Sequence, residues 1–407
     1  MRHEPSGVNA LHSVSDSRVD SCGAVGTDGD RRDARGATEP QNLSRGARAG
    51  QDLPVSDGSH LLLTRKPPLT LLATVSAAIA EATPDPRVRR RVGPQEPLDL
   101  SEVVARLSEQ RSPEITAILA TFAELLAGNE HLQARCRQEV AARNDPIPEW
   151  ISGLSKAEVY RVVRVARVLG DHSELVIGAR LAGGKELTCV VYLDHDSWCR
   201  VGKGQFGEKS IDSVLSDCNP TANPDLSVVD MSLADVRAWI EDGLRYATIV
   251  VDAGTWPAYR PLLNWLIGLM PEGGASYQRP EWDPHDIDDL LRSFFVSAEG
   301  LVFNDWHYRY LLQELLETGT GDPLRWSMTR IRETLGDPMF FHEYIPVECV
   351  LDVPDLLRAF IPFAHARSEI RQGLTAEALA VIGEMRLGYK RTVLREAGWW
   401  DTDYEGA

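Results

Sequence analysis

The stretch that decides the fold class is ELVIGARLAGGKELTCVVYLD, residues 174–194. It holds two runs rich in β-branched and apolar residues, joined by a turn that contains a Gly-Gly pair. This pattern is typical of two antiparallel strands and predicts a β-hairpin from Glu174 to Asp194. An isolated hairpin is only marginally stable in water, so it needs a further strand or a helix packed on one face. Leu226 to Val229 is the predicted third strand.

Helical patterns dominate on the N-terminal side of the hairpin. Three helices are predicted over residues 98–143, where apolar residues recur at helical spacing. Ser101 is the expected cap of the first helix, and Pro113 suits the first turn of the second. Residues 156–170, KAEVYRVVRVARVLG, also follow a helical period, and valine lowers helix propensity only slightly. The sequence therefore predicts a fourth helix that leads into the hairpin.

Helices are also predicted after the hairpin, from capping residues and apolar periods. They are expected over 210–218, 233–251, 257–270, 284–297, 305–318, 327–335, 354–367 and 375–395. The predicted fold class is α+β, predominantly α-helical, with one small antiparallel β-hairpin element and a disordered N-terminal arm.

Composition divides the chain into four predicted parts. Residues 1–97 form a disordered arm that ends in a Pro/Arg-rich linker, because the arm is poor in large apolar residues and shows no periodicity. Residues 98–145 are a small helical module, 146–398 are the main helical body with the hairpin, and 399–407 are an acidic tail. The linker carries the arginine cluster from Arg87 to Arg91, which suits a solvated linker or, alternatively, a contact with nucleic acid.

Charge and cysteine usage exclude several classes of protein. The chain has 407 residues and a formal net charge of -17, which repels phosphate backbones and anionic lipid, so nucleic-acid binding would need a local basic patch. The six cysteines are scattered without a CxxC pair, which indicates free thiols in a reducing compartment. No secretory signal and no membrane-spanning stretch are visible, so a cytoplasmic location is expected. No metal site and no cofactor are predicted.

The sharpest motif is GKGQFG, residues 202–207. In a G-x-G-x-x-G phosphate loop, Gly202, Gly204 and Gly207 would let backbone N–H groups approach a phosphate, and Lys203 would add positive charge. The context argues against this function, because the preceding strand belongs to a hairpin and no H-R-D or D-F-G triplet occurs in the chain. A flexible Gly-rich loop is therefore predicted, with these four residues as weak candidates for a nucleotide site.

The triplet Asp194-His195-Asp196 at the end of the hairpin is the second candidate site. Two carboxylates beside an imidazole can hold a divalent metal or tune a general base. Successive residues of a strand point to opposite faces, so the three side chains converge only if the strand ends there. A polar turn is the favoured interpretation, and catalysis by Asp194, His195 and Asp196 is the alternative.

Tryptophans are concentrated in the second half of the chain. A tryptophan offers a large apolar area and an N–H group that needs a partner. Most of these side chains are expected to wedge between helices, and a Trp-bearing helical surface for a protein partner is the functional alternative. The clustered tryptophans are Trp239, Trp256, Trp265, Trp282, Trp306 and Trp326.

Several strings within residues 148–394 resemble a known group of sequences. They are ARLAGGKELTCVVYLDHD, TWPAYRPLLNWLIGLMPEGG, QRPEWDPHDIDDLL, GDPLRWSMTRI and VPDLLRAFIPFAHARSEIRQGLTAEALAVI. With them the chain resembles an uncharacterised family of actinobacterial, mycobacterial-type conserved hypothetical proteins. The resemblance implies an actinobacterial cytoplasmic setting, and it brings no activity and no site residues with it.

Three functions stay open on the sequence. The first is a non-enzymatic interaction or regulatory protein of the cytoplasm, which the arm, the Trp-bearing helices and the lack of a catalytic constellation favour. The second is a metal- or nucleotide-dependent hydrolase that uses the Asp194-His195-Asp196 corner. The third is nucleic-acid binding through Arg87 to Arg91. A single pocket that joins the corner to the Gly-rich string would favour the hydrolase.

Overall fold

The computed structural model describes residues 67–83, 88–90, 99–218, 222–246, 248–250, 256–338 and 345–404, with side chains except for those of 88–90, 248–250 and 398–404. The predicted disordered arm up to residue 66, and the two ends of the arginine cluster at Arg87 and Arg91, lie outside these ranges.

The fold is α+β and mostly helical, as the sequence predicts. The helices are α1 (Pro68–Ala82), α2 (Leu100–Glu109), α3 (Pro113–Leu125), α4 (Glu130–Arg143), α5 (Glu149–Ser152), α6 (Ile211–Cys218), α7 (Leu233–Gly243), α8 (Arg260–Gly268), α9 (Pro284–Phe295), α10 (Trp306–Leu316), α11 (Met328–Gly336), α12 (Val347–Leu351), α13 (Val353–Arg367) and α14 (Gln372–Tyr404). The strands are β1 (Val88–Arg90), β2 (Glu158–Arg167), β3 (His172–Arg180), β4 (Glu186–Asp194), β5 (Arg200–Gly207), β6 (Leu226–Asp230) and β7 (Thr248–Val250).

An antiparallel sheet of five strands, in the order β5-β4-β3-β2-β6, contains the predicted hairpin. The hairpin is confirmed as β3 and β4, which pair from His172 to Arg180. Gly183 and Gly184 in its turn adopt φ of 75° and 73°, a backbone region in which glycine is not strained. The predicted third strand is also confirmed as β6, although it pairs with β2 rather than with the hairpin itself.

Strand β2 shows that the helix predicted over residues 156–170 is wrong. Val162 packs in the core on one face of the sheet, while Val163 and Val165 pack on the opposite face. Apolar side chains therefore cover both faces of this strand, and its sequence EVYRVVRVAR does not alternate regularly between apolar and polar residues. Its β-branched residues suit a pleated surface better than a helix.

Helix α7 is shorter than the sequence predicts. It ends at Gly243, and the β-branched run Thr248–Val250 forms β7 instead of continuing the helix to residue 251. Strand β7 pairs in parallel with β1, so Val88–Arg90, within the predicted Pro/Arg-rich linker, forms a short strand.

Two helix ends also differ from the prediction. Asp99 caps α2 in place of Ser101, because the Asp99 carboxylate accepts a hydrogen bond from the Ser101 backbone N–H at 2.8 Å. Helix α14 continues through part of the predicted acidic tail to Tyr404, and no proline interrupts it.

The apolar core has three parts. The first joins α1 to α5, one face of the sheet, α7 and α8, so the helices of the predicted 98–145 module share a core with the sheet. The second lies between the other face of the sheet and α6. The third holds α9 to α14. We call α1 to α8 with the sheet the sheet half, and α9 to α14 the helical half.

The two halves meet beside the turn between β2 and β3. Arg325 of the helical half donates a hydrogen bond to the carbonyl of Val168 at 2.9 Å, and Arg371 forms an ion pair with Asp225. None of the helices in the described ranges is long and apolar enough to cross a membrane.

Candidate functional site

The corner after β4 is built from three side chains that have different partners. The Asp194 carboxylate accepts a hydrogen bond from the Ser197 backbone N–H at 3.2 Å and forms an ion pair with Arg200 at 2.8 Å. The backbone N–H of His195 donates to the carbonyl of Asp171 at 2.9 Å. Asp194 thus closes the turn, which supports the interpretation of the triplet as a polar turn.

The His195 ring lies inside the sheet half. Its Nε2 atom is 2.8 Å from the hydroxyl of Ser173. Strand β3 places Ser173 on the face of the sheet that packs against the first core, the face that also meets α7 and α8. Burial, together with the positive charges of Arg164 and His172, lowers the pKa of His195 to about 3, and the Asp171 charge opposes this shift. The ring is therefore neutral at physiological pH.

A serine hydrogen-bonded to a histidine is the arrangement of a nucleophile and its general base. In a catalytic triad a third group orients the histidine through its other nitrogen, but Nδ1 of His195 has no hydrogen-bond partner among the described residues. Ser173 is fully buried and His195 is 2% exposed, so a substrate has no access to the hydroxyl in this conformation. The pair ties β3 to the corner and does not support a hydrolase.

Asp196 points towards the helical half. Both carboxylate oxygens are enclosed, and neither has a hydrogen-bond partner within the described ranges. The pKa of Asp196 is raised to about 8, and burial is the largest cause. The negative charges of Asp171, Glu333 and Asp194 also raise it, whereas the positive charge of Arg330 lowers it. Asp196 is therefore mostly protonated at neutral pH.

Asp171 also links the corner to the helical half, but its carboxylate is ionised, whereas that of Asp196 is protonated. Burial by itself raises its pKa, but hydrogen bonds from His172 and Ser327, together with the His172 charge, more than offset this and the pKa is lowered. Ser327 caps α11, so the ionised carboxylate joins the β2–β3 turn to the first turn of that helix.

The Gly-rich string is a strand, so the prediction of a flexible loop is wrong. Residues 202–207 belong to β5, and Lys203 is paired in the ladder with Tyr192. A Cβ atom added to Gly202 would lie 2.9 Å from Tyr192, and one added to Gly204 would lie 3.0 Å from Trp256. Gly202 and Gly204 lack a Cβ atom where the rings of Tyr192 and Trp256 pack closely against the strand. A Cβ at Gly207 would meet no atom within 4 Å.

The structure does not unite the candidate residues in one metal or nucleotide site. Within the described ranges no group of three or more His, Cys, Asp or Glu side chains could hold a metal ion. The Lys203 ammonium faces the ring of Tyr192 at 5.8 Å, rather than the corner. His307 forms an ion pair with Asp305 at the start of α10, away from both.

Sequence reasoning missed the buried polar residues that surround the corner. Arg164 and Ser173 lie on the face of the sheet that packs against the first core. They become neighbours of His195 only because β2 pairs with β3. Arg164 lies in the stretch that was expected to be helical, so its position was wrong as well. The β-branched residues in 158–167 are the signal that favours a strand and would have placed Arg164 on the sheet.

The connection between α9 and α10 carries a cluster of exposed apolar side chains. We call it the 296–310 surface, formed by Val296, Leu301, Val302, Trp306 and Tyr310. Val302 is 78% exposed and Trp306 is 58% exposed. Around it, residues 281–317 contain nine acidic residues and only two arginines. The segment that carries these apolar side chains is therefore strongly acidic in sequence.

The tryptophans divide into buried wedges and exposed rings. Trp256, Trp265 and Trp326 are buried in the cores, as expected of wedges between helices. Trp306 and Trp198 are the two large exposed indoles in the described part of the chain. Trp198 stacks with the Arg279 guanidinium at 5.2 Å, whereas Trp306 belongs to the 296–310 surface.

Comparisons of the chain with protein-family models, with curated proteins and with solved structures give no match.

Proposed function

We propose that the protein acts by binding a partner protein through the 296–310 surface, as a non-enzymatic interaction or regulatory protein. The observation that carries the proposal is the concentration of five exposed large apolar side chains within fifteen consecutive residues. A concentration of exposed large apolar side chains on a folded protein favours an interaction site.

The charge around the surface defines the partner. Nine acidic residues against two arginines make the segment 281–317, which carries the surface, negative. Complementary interfaces place opposite charges at the rim and aromatic or aliphatic anchors at the centre. The partner is therefore an apolar protein segment flanked by lysine or arginine, and Trp306 is the expected anchor because tryptophans are frequent hot spots.

Site-specific photo-crosslinking tests this function. A photo-reactive amino acid is placed at Val302 or, as a matched control, at Leu387, an exposed apolar residue on α14. A discrete adduct with one other protein is expected at position 302 and not at 387. Adducts of equal yield at both positions, or adducts only with a second copy of this chain, would contradict the proposal.

The affinity for the crosslinked partner is then measured for Trp306→Ser and for Trp198→Ser. Loss of a hot-spot tryptophan costs about 2 kcal/mol or more, which is roughly a 30-fold weaker affinity. Trp198→Ser removes an equally exposed indole from another place and should leave the affinity unchanged. Equal effects of the two substitutions would show that the 296–310 surface is not the binding site.

A further inference from the structure

Helix α14 packs one face against the helical half and leaves the opposite face uncovered by the described residues. Its buried face, which includes Val381, Tyr389 and Val393, belongs to the third part of the core. On the opposite face, Leu387 is 66% exposed and Leu394 is 56% exposed. The two leucines are separated by about two helical turns, so their side chains lie one above the other. Large exposed apolar side chains aligned in this way favour a docking surface.

Small residues continue this face towards the N-terminal end of α14. Ala376, Ala380 and Gly383 are exposed, and with Leu387 and Leu394 they recur at intervals of three, four or seven residues. We call these five residues the α14 face. Their spacing is that of a helix that packs against a second helix. A Cβ atom added to Gly383 would meet no atom within 4 Å, so the described part of the chain does not require a glycine there.

The α14 face matches an inverted copy of itself in shape. If two copies of α14 pack antiparallel about a two-fold axis at the level of Met385, Leu387 of one copy lies opposite Gly383 of the other. Leu394 then lies opposite Ala376, so each large side chain meets a small one, and the symmetry makes every contact twice. A parallel pair would oppose leucine to leucine and alanine to alanine, and its two ends would need different distances between the helices.

Charges on α14 suit the same antiparallel arrangement. Glu377 of one copy lies beside Arg391 of the other, and both side chains are exposed. Glu384 approaches its counterpart near the axis, but it already has a counter-ion in Arg332 at 4.0 Å. Residues 372–397 contain four basic and three acidic residues, whereas the whole chain has a net charge of -17. This helix therefore lacks the excess of negative charge that repels two copies elsewhere.

We propose that a second copy of this chain docks on the α14 face, so that the protein forms an antiparallel, two-fold symmetric dimer through α14. The leucines fill the space above the small residues, and the pairs of Glu377 with Arg391 fix the direction. A single pair of helices is a small interface, so a Kd of about 10 µM is expected. The α14 face is separate from the 296–310 surface, and the dimer does not depend on the partner proposed there.

Sedimentation velocity of the full chain at concentrations from about 1 to about 200 µM tests the dimer. The sedimentation coefficient should rise with concentration from that of one chain to that of two. A chain that stays monomeric at every concentration would overturn the proposal.

Gly383→Leu and Gly388→Leu form a matched pair of variants. A leucine at position 383 occupies the space of Leu387 from the other copy and should weaken the dimer at least about tenfold. Gly388 also has no atom within 4 Å of an added Cβ, but it points about 100° away from Leu387 around the helix. Gly388→Leu should therefore leave the dimer intact. Equal dimer affinities in the two variants would refute the α14 face as the interface.

A charge exchange tests the antiparallel direction. Glu377→Arg alone, or Arg391→Glu alone, places like charges together and should weaken the dimer about tenfold. The two substitutions combined recreate the ion pairs and should restore the affinity of the unaltered chain. A folding defect cannot produce this rescue. A double variant that dimerises no better than the single variants would contradict the arrangement.

Photo-crosslinking separates the dimer from the partner of the 296–310 surface. A photo-reactive group at Leu387 should form an adduct of twice the chain mass, whereas one at Val302 should form an adduct with a different protein. The mass of each adduct therefore shows which of the two proposals holds. An adduct at position 387 that contains another protein instead of a second copy would overturn the dimer.

Discussion

Each half of the molecule packs an arginine against a tryptophan, and the two arginines have opposite surroundings. In the helical half, the Arg330 guanidinium lies 3.8 Å from the centre of the Trp326 ring; in the sheet half, Arg164 lies 5.3 Å from that of Trp239. Arg330 is fully buried, and all of its N–H groups have hydrogen-bond acceptors. The Nε–H group of Arg164 has no acceptor among the described residues. The acceptors of Arg330 are the carbonyls of Leu315, Leu316, Asp322 and Arg325 and the hydroxyl of Thr318.

The buried histidines of the two halves show the same contrast. Nε2 of His365 accepts a hydrogen bond from the Trp326 backbone N–H at 3.2 Å, and Nδ1 lies 3.0 Å from the Thr375 hydroxyl. Because Nε2 is an acceptor, the proton of the neutral ring is on Nδ1. In the sheet half, Nδ1 of His195 has no hydrogen-bond partner among the residues that the structure describes.

The two halves therefore differ in whether their buried polar side chains have all of their hydrogen-bond partners. Arg330 satisfies carbonyls at the C-terminal end of α10, which otherwise lack intrahelical partners. Such a complete network rigidifies and specifies one structure. The unmatched groups of Arg164 and His195 contribute no such stabilisation, so removing them should destabilise the fold less than removing Arg330 and His365.

Removing each arginine gives the largest expected effect. Arg330→Met removes the donors that bind the buried carbonyls of Leu316 and Arg325 and should lower the free energy of unfolding by about 3–5 kcal/mol. Arg164→Met removes an unpaired charge and should leave stability unchanged or slightly higher. Urea unfolding of both variants measures the contrast. Equal losses would mean that Arg164 is as much a structural residue as Arg330.

Asp196→Asn tests the junction between the halves through its pH dependence. The folded pKa of Asp196 is about 8 and its ordinary value is 3.8, so between these values the folded state holds a proton that the unfolded state has released. Wild-type stability therefore falls as the pH rises through this window. Asparagine mimics the protonated carboxyl and cannot ionise. Its stabilising effect should grow from near zero at the lower end of the window to about 2 kcal/mol at the upper end.

Thermal unfolding across this pH range measures the effect. Asp194→Asn is the control with the reverse expectation, because that substitution weakens the ion pair with Arg200 instead of relieving a buried charge. A stability difference between wild type and Asp196→Asn that does not change with pH would show that Asp196 is ionised and solvated in the folded protein.

The sequence predicted the parts of the fold that local patterns determine. The Gly-Gly turn and its flanking strands, and the helix caps at Ser232 and Asp283, are where the local signals place them. Strand β2 was misassigned because both of its faces are buried, which a sequence pattern alone cannot distinguish from a helix of similar length.

The candidate site depended on that misassigned strand. The triplet at the corner was visible in the sequence, but its buried neighbours come from strand pairing and from α11. The motif in the Gly-rich string was clear, but the prediction of a flexible loop was wrong. Two of its glycines leave room for the rings of Tyr192 and Trp256. Contacts of this kind join residues far apart in the chain, so local sequence patterns carry no signal for them.

The histidine pair gives the smallest expected contrast. His365→Leu leaves the Trp326 N–H and the Thr375 hydroxyl without their partner and should cost about 1–2 kcal/mol at neutral pH. His195→Leu releases only the Ser173 hydroxyl, which can rotate to another acceptor, so its cost should stay within about 0.5 kcal/mol. Urea unfolding measures both. A cost for His195→Leu as large as that for His365→Leu would show that the His195 ring is already satisfied.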